Sequence, residues 1–279
     1  MALEDRKQRE IEHSDHRRQI VTGFEYLSDS ENAAQARIVA PAKFEQHFSN
    51  AKFYAIAQSS FAWRDEILRR RCPGKICLDY CCGNGEVALL MAKMGARKAY
   101  GIDLSPVAVE NAGRLALDAG VGDRTHYAVM DAEQMQFPDN TFDVIHVYGA
   151  LHHLELKSAL AELSRVLKPD GIIVCTEALR HNPAIHWYRR RTPHLRTEWE
   201  VEHILGVPDI RTASAWFGAV RVRFFHLFTL LAVPFRKIIF FRQLLWLLDW
   251  ADAVVLRIPG LRWMAWQAVF TLEKPRKWK

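Results

Sequence analysis

Apolar positions change their spacing along this chain, and each change marks a different kind of structure. Up to about residue 70 they recur at helical intervals, as in Phe53, Ile56, Ala57, Phe61 and Trp63, with no long alternating run. This predicts a helical N-terminal stretch, closed by the Pro73-Gly74 punctuation. Beyond it, short apolar runs at 76–80, 99–103, 126–130, 144–147 and 172–176 read as strands, and helical patterns occupy 85–94, 105–119 and 157–167. Strands alternating with helices predict an α/β fold, a mostly parallel sheet with helices on both faces. Gly171, after Lys168-Pro169-Asp170, is expected to end the third of these helices and lead into a strand.

After residue 177 the pattern shifts again. Thr197, three residues before Glu200, predicts a capped helix starting near residue 198, and 220–225 and 267–272 read as further strands. Between those strands lies the aromatic-rich run FFHLFTLLAVPFRKIIFFRQLLWLLDW. Its longest uncharged piece, 224–235, falls well short of the roughly 20 apolar residues that span a bilayer. The expected organisation is an N-terminal helical extension over 1–70, a core over 71–180, and a helical cap with the last sheet strands over 181–279.

Composition narrows the class. A hydrophobic share of 49% in 279 residues supports a buried core. Five cysteines, an odd number with no CxxC pair, give neither a disulfide framework nor a zinc-site spacing, so no metal is expected. The charged opening MALEDRKQREIEHSDHRR lacks the apolar stretch of a signal peptide, and a cytoplasmic location is expected. The net charge of +6 is uneven: residues 219–279 hold eleven Lys/Arg against three Asp/Glu, +8, leaving −2 for the rest. That basic end suits an anionic substrate, a membrane surface or an ordinary solvated face. The tail KPRKWK alone is too short for nucleic-acid recognition, which is not expected.

Candidate chemistry centres on KICLDYCCGNGEVALLMA. A buried strand ends at Asp79, turns through small residues and enters a helix, and Gly83 and Gly85 let the backbone approach a ligand closely. Twenty-four residues on, GIDLS places Asp103 at the neighbouring strand end, where a carboxylate can accept both hydroxyls of a ribose. Residues 83–88 also satisfy the dinucleotide pattern GxGxxA, so a nicotinamide-dependent oxidoreductase stays open. Asp79 weighs against it, because a carboxylate there repels a pyrophosphate and welcomes the ammonium of a methionine moiety.

The successive segments LDYCCGNGE, GIDLSPVAVENA, MDAEQMQFPDNTFDVIHVYGALHHL and RVLKPDGIIVCTE resemble, in order and spacing, the motifs of class I S-adenosylmethionine-dependent methyltransferases of the ubiquinone/menaquinone type. HNPAIHWYRRRTPHLRTEWE resembles a subset of bacterial natural-product enzymes that includes the teleocidin-pathway C-methyltransferases. The resemblance implies a Rossmann-like seven-stranded sheet and S-adenosylmethionine as cofactor. It implies that Asp79 and the loop Cys81, Gly83 and Gly85 hold the methionine end. Asp103 would hold the ribose and Leu104 pack on adenine. Asp131 and Ala132 would meet the adenine edge, and Val147 and Tyr148 line the methionine pocket. Cys81 departs from the family, where glycine is usual. Tyr54 falls where the N-terminal region would close over the cofactor.

Methyl transfer from a sulfonium needs positioning and water exclusion first, and a base only where the acceptor loses a proton. His152, His153 and Glu177 are the catalytic candidates, because they follow the fourth and fifth strands at the edge where α/β sheets place ligands. His181, His186, Tyr188 and the Arg189-Arg190-Arg191 run are secondary. The implied partner is a hydrophobic small-molecule acceptor: prenylated, polyketide or lipid-like, methylated at carbon or oxygen. The aromatic run reads as a structural cap, a lid over that acceptor, or a peripheral membrane contact. A homo-oligomer through the N-terminal helices and a non-catalytic cofactor-binding subunit also stay open.

Overall fold

The computed structural model describes residues 3–20 and 49–277. Strands β1 (Ile76–Tyr80), β2 (Lys98–Asp103), β3 (Thr125–Val129), β4 (Phe142–Tyr148), β5 (Leu167–Ala178), β6 (Phe217–Phe225) and β7 (Gln267–Pro275) form one sheet, ordered 3-2-1-4-5-7-6. β7 runs antiparallel between β5 and β6, and the other pairings are parallel. The expected seven-stranded, mostly parallel α/β sheet is thus present. Strand order reverses at β1 and β4, which opens a crevice at their carboxyl ends.

Successive residues of the central strands point to opposite faces, and both faces are covered. Leu78, Ile145, Val147 and Ile173 pack with Leu160 and Leu163 of α5 (Leu156–Val166). Cys77, Val144 and Val174 pack against Leu68 of α2 (Gln58–Arg71), Met91 of α3 (Glu86–Lys93) and Ala116 of α4 (Pro106–Asp118). This two-sided burial makes the strands read as unbroken apolar runs. Each large side chain so buried contributes roughly 1.5–3 kcal/mol.

One expectation fails. Helix α5 ends at Val166, and residues 167–171 already belong to β5, irregularly paired opposite Phe142 and Val144. Gly171 is no helix cap; a Cβ there would lie 2.7 Å from Leu167 Cδ1 and 3.0 Å from the Asp143 carbonyl oxygen, so its smallness serves close packing. Of the N-terminal stretch, α1 (Leu3–Ile20), a 3-10 turn over Ser49–Ile56, and α2 are helical. The remainder of that stretch, 21–48, lies outside the described residues. The C-terminal cap is built from α6 (Pro183–Arg191), α7 (Glu198–His203), α8 (Val207–Thr212) and α9 (Phe241–Val255). No described helix is long and apolar enough to cross a membrane.

Candidate active site

Asp79, Cys81, Asp103, Asp131, Tyr148 and Glu177 all stand at or just past the carboxyl ends of β1 to β5. Asp79 is buried, and its carboxylate accepts the Ala88 amide of α3 at 3.0 Å and meets His146 Nδ1 at 2.9 Å. The positive end of α3 is therefore already neutralised by a side chain of this protein. Burial pushes the His146 imidazole below its ordinary pKa even though Asp79 opposes the shift.

The loop after β1 is tightly wound. Gly83 and Gly85 adopt φ +56° and +82°, and a Cβ on Gly85 would lie 2.6 Å from both Ala112 Cβ and Tyr127 Cε1. Cys81 also sits in the left-handed region, at φ +56°, which explains why glycine suits this position and cysteine carries strain of about 1–2 kcal/mol. Burial pushes its thiol pKa up, so it is no thiolate.

Asp103 faces this loop. Its two oxygens accept the Gly83 and Ser105 amides, each at 2.9 Å, which fixes the carboxylate as an acceptor. Half-buried Leu104 follows it. Asp131 accepts the Glu133 amide at 2.8 Å, and buried Ala132 receives the Tyr80 hydroxyl on its carbonyl at 2.8 Å. Two of the loop amides a diphosphate would need are already engaged, Gly83 by Asp103 and Gly85 by the Cys82 carbonyl. Asp79, Asp103 and Asp131 form a row of carboxylates. This acceptor set fits ribose hydroxyls, an adenine amino group and an ammonium, and it opposes a dinucleotide.

The catalytic candidates converge. Glu177 is 1% exposed and accepts the Ala150 and Leu151 amides at 2.8 and 2.9 Å. Its second oxygen meets His152 Nδ1 at 2.9 Å, which directs Nε2 away from the sheet; Glu200 of α7 lies 3.9 Å from Nε2, beyond hydrogen-bond range. A carboxylate on one imidazole nitrogen, with no hydrogen-bond partner for the other among the described residues, is an arrangement able to accept a proton. The His152 and His153 rings lie 4.3 Å apart, but His153 is bound elsewhere, to Glu10 of α1 at 3.0 Å. Donor atoms of His152, His153 and Glu200 lie within 4.8 Å of one another. Glu177, Glu10 and Arg196 already pair with them, which argues for ion pairing over metal ligation.

Helix α1 is held to this edge by polar contacts. Arg6 pairs with buried Glu133 and lies 4.7 Å over the Trp199 ring, Lys7 pairs with Asp131 and Glu133, and Asp15 receives the Ser105 hydroxyl. Burial opposes charge on His153, but the bond to Glu10 and the charges of Glu200 and Glu177 outweigh it and push its pKa up to about 9. Burial would raise Glu10, but its bond to His153 outweighs that and lowers it. His153 therefore stabilises the docked helix fully below 6.5, and that contribution is lost as pH rises through about 9. Glu10 does so above 4.5 and loses its contribution as pH falls below its folded value. Hydrogen-exchange protection of α1, corrected for intrinsic rates, should peak between those two values and decline toward pH 9. Protection that is flat across that span would refute the coupling.

A wall of rings borders the site. Phe53 lies 4.8 Å from Tyr188 and 5.7 Å from Trp266, Tyr54 lies 6.4 Å from Trp266, and Phe61 lies 5.6 Å from Tyr148. Tyr54 thus joins the aromatic wall on the β7 side. Val147 is buried in the sheet beside it. His181 and His186 are exposed. The arginine run splits: Arg189 points inward to the Leu179 carbonyl at 2.9 Å, and Arg190 and Arg191 are exposed.

His146 and the α1 charges are site residues the sequence reading missed. A histidine inside the apolar strand FDVIHVY, in register with Asp79, was the available signal for the first. The α1 contacts span 90 residues or more, as Asp15 to Ser105 and Arg6 to Glu133 do, and leave no local pattern.

Comparison with known proteins agrees with this geometry. Residues 78–175 match the methyltransferase domain family. The sterol 4-C-methyltransferase of Caenorhabditis elegans is 31% identical over 139 residues, 50% of this chain and 40% of that protein. The ubiquinone/menaquinone biosynthesis C-methyltransferase of Rickettsia akari is 32% identical over 123 residues, 41% of this chain and 49% of that protein. The chain thus spans about half or less of these relatives. The geranyl diphosphate C-methyltransferase of Streptomyces coelicolor, solved with Mg2+, geranyl diphosphate and S-adenosylhomocysteine, superposes with a TM-score of 0.57 at 15% identity, covering 96% of this chain and 98% of that one. The [4+2]-cyclase SpnF shares the fold with a TM-score of 0.51 at 23% identity, over 76% of this chain and 80% of that one. Motif order, sheet topology and the matched domain agree, and the chain carries the core of a class I S-adenosylmethionine-dependent methyltransferase.

Proposed function

We propose that this protein transfers a methyl group from S-adenosylmethionine to a hydrophobic small molecule, prenylated, polyketide or lipid-like, at carbon or oxygen. The observation that carries the reading is the buried Glu177–His152 pair, a carboxylate that orients an imidazole at the carboxyl edge of the sheet. Relatives named for sterol and quinone methylation, and the resemblance of residues 181–200 to prenyl-modifying enzymes, support an apolar acceptor.

Bound cofactor supplies a methyl group activated on a sulfonium. In this reading Asp103 accepts the ribose hydroxyls, Leu104 packs on adenine, and Asp131 with the Ala132 amide meets the adenine edge. Asp79, the loop at Cys81, Gly83 and Gly85, and the backbone of Val147 and Tyr148 hold the methionine end. On methyl transfer His152 Nε2 would accept the acceptor's proton, with Glu177 steadying the imidazolium. His153, already bound to Glu10, helps hold α1 over the cofactor side instead of acting as base. The N-terminal extension then excludes water from one side and the 181–279 cap from the other. The protein works in the cytoplasm.

The test is transfer of labelled methyl from S-adenosylmethionine to a panel of acceptors. Label recovered in the solvent-extractable quinol, sterol or prenyl compounds is the expected result. Label confined to water-soluble amines or carboxylates contradicts it.

A further inference from the structure

Helix α9 carries apolar residues on both of its faces. Leu244, Leu245 and Leu248 turn inward, into the cluster that holds Ile56, Val233 and Trp266. On the opposite side Trp246 is 71% exposed, Trp250 62% and Leu247 54%. The turn that precedes the helix extends the patch, with Ile239 87% and Phe240 66% exposed. A helix apolar all round is ordinarily enclosed by protein or lipid, and a contiguous aromatic and aliphatic patch of this kind marks an interaction surface.

The charges identify its partner. Arg236, Lys237, Arg242 and Arg257 belong to the same segment, and Lys237, Arg242 and Arg257 are exposed. The acids of the same segment are turned inward. Asp249 accepts the Ser59 hydroxyl at 2.8 Å, and buried Asp252 accepts the amides of Leu227, Phe228 and Thr229. Over 235–257 the exposed charge is therefore positive, in the same segment as exposed tryptophan, phenylalanine and isoleucine. Tryptophan prefers the headgroup level of a bilayer, and lysine and arginine reach past it to anionic headgroups. A second copy of the chain would bring two such positive rims together, which disfavours it as the occupant.

We propose that α9 and the 235–240 turn lie in the interface of an anionic membrane, with their outward apolar side chains below the headgroups. The inward face of the same helix borders the aromatic wall, so an apolar acceptor dissolved in the bilayer has a short path to the site.

The test is co-sedimentation of the whole chain with vesicles. Binding is expected to mixed phosphatidylcholine–phosphatidylglycerol vesicles, with a blue shift of tryptophan emission, and to fall with added salt. Phosphatidylcholine alone should bind it far more weakly. Removing two charges, as in Arg236→Gln with Lys237→Gln, should weaken partition on the order of 20-fold. Trp246→Ala with Trp250→Ala should abolish the emission shift and leave circular dichroism and methyl transfer in detergent solution unchanged. A chain that stays in the supernatant with both vesicle types overturns the proposal. A dimer dissolved by the tryptophan variant would then assign the face to a second copy.

Discussion

His152→Ala lowers kcat by about two to four orders of magnitude and leaves affinity for S-adenosylhomocysteine unchanged. The asymmetry follows from position. His152, just past β4, meets Glu177 near the end of β5 through Nδ1 and has no bond to Asp79, Asp103 or Asp131, the residues proposed to hold the cofactor. Its removal takes away a proton acceptor and leaves Glu177 with the Ala150 and Leu151 amides. Glu177→Gln should lower kcat as well, because the amide cannot steady an imidazolium. It should also destabilise the fold by about 1–3 kcal/mol, since all three buried hydrogen bonds lose the carboxylate's charge and an amide nitrogen cannot accept from His152 Nδ1. Full turnover in His152→Ala would exclude this residue as the base and leave the acceptor with no proton to lose, or a different group to take it.

Asp103→Asn carries the second large effect. Its carboxylate is already oriented by the Gly83 and Ser105 amides, so in the proposed role it would accept two ribose hydroxyls without rearrangement. Charge-assisted hydrogen bonds contribute about 1.5–3 kcal/mol each, and losing the charge on both should weaken S-adenosylhomocysteine binding about 100-fold or more. The variant should stay folded, because Asp103 is half-buried and Asn can still accept one of the two amides. Calorimetry with wild-type affinity for Asp103→Asn would remove this residue from the cofactor site.

The core was legible because its signals are local. Buried parallel strands advertise themselves as short apolar runs, and β1 was placed to the residue at 76–80. Asp79, Asp103 and Glu177 could be marked as candidates because each sits at or next to the carboxyl end of a strand. What escaped notice depends on tertiary distance. The sequence marks His152, His153 and Glu177 as candidates but does not say which pair forms; Glu10 decides that by taking His153. The strand start at Leu167 was hidden because Lys168-Pro169-Asp170-Gly171 has the composition of a turn. There, pairing with Phe142 on β4 overrides local preference. The strain at Cys81 was half visible: the departure from glycine could be read, but only the backbone angle of +56° gives it a physical meaning.

The central claim is that the carboxylate row at β1, β2 and β3 holds S-adenosylmethionine and not a dinucleotide. It is tested most directly by calorimetric titration of the purified chain with S-adenosylhomocysteine and, separately, with NADH. The account predicts micromolar binding of S-adenosylhomocysteine alone, as expected of a metabolite-level cofactor. Binding of NADH alone would contradict it.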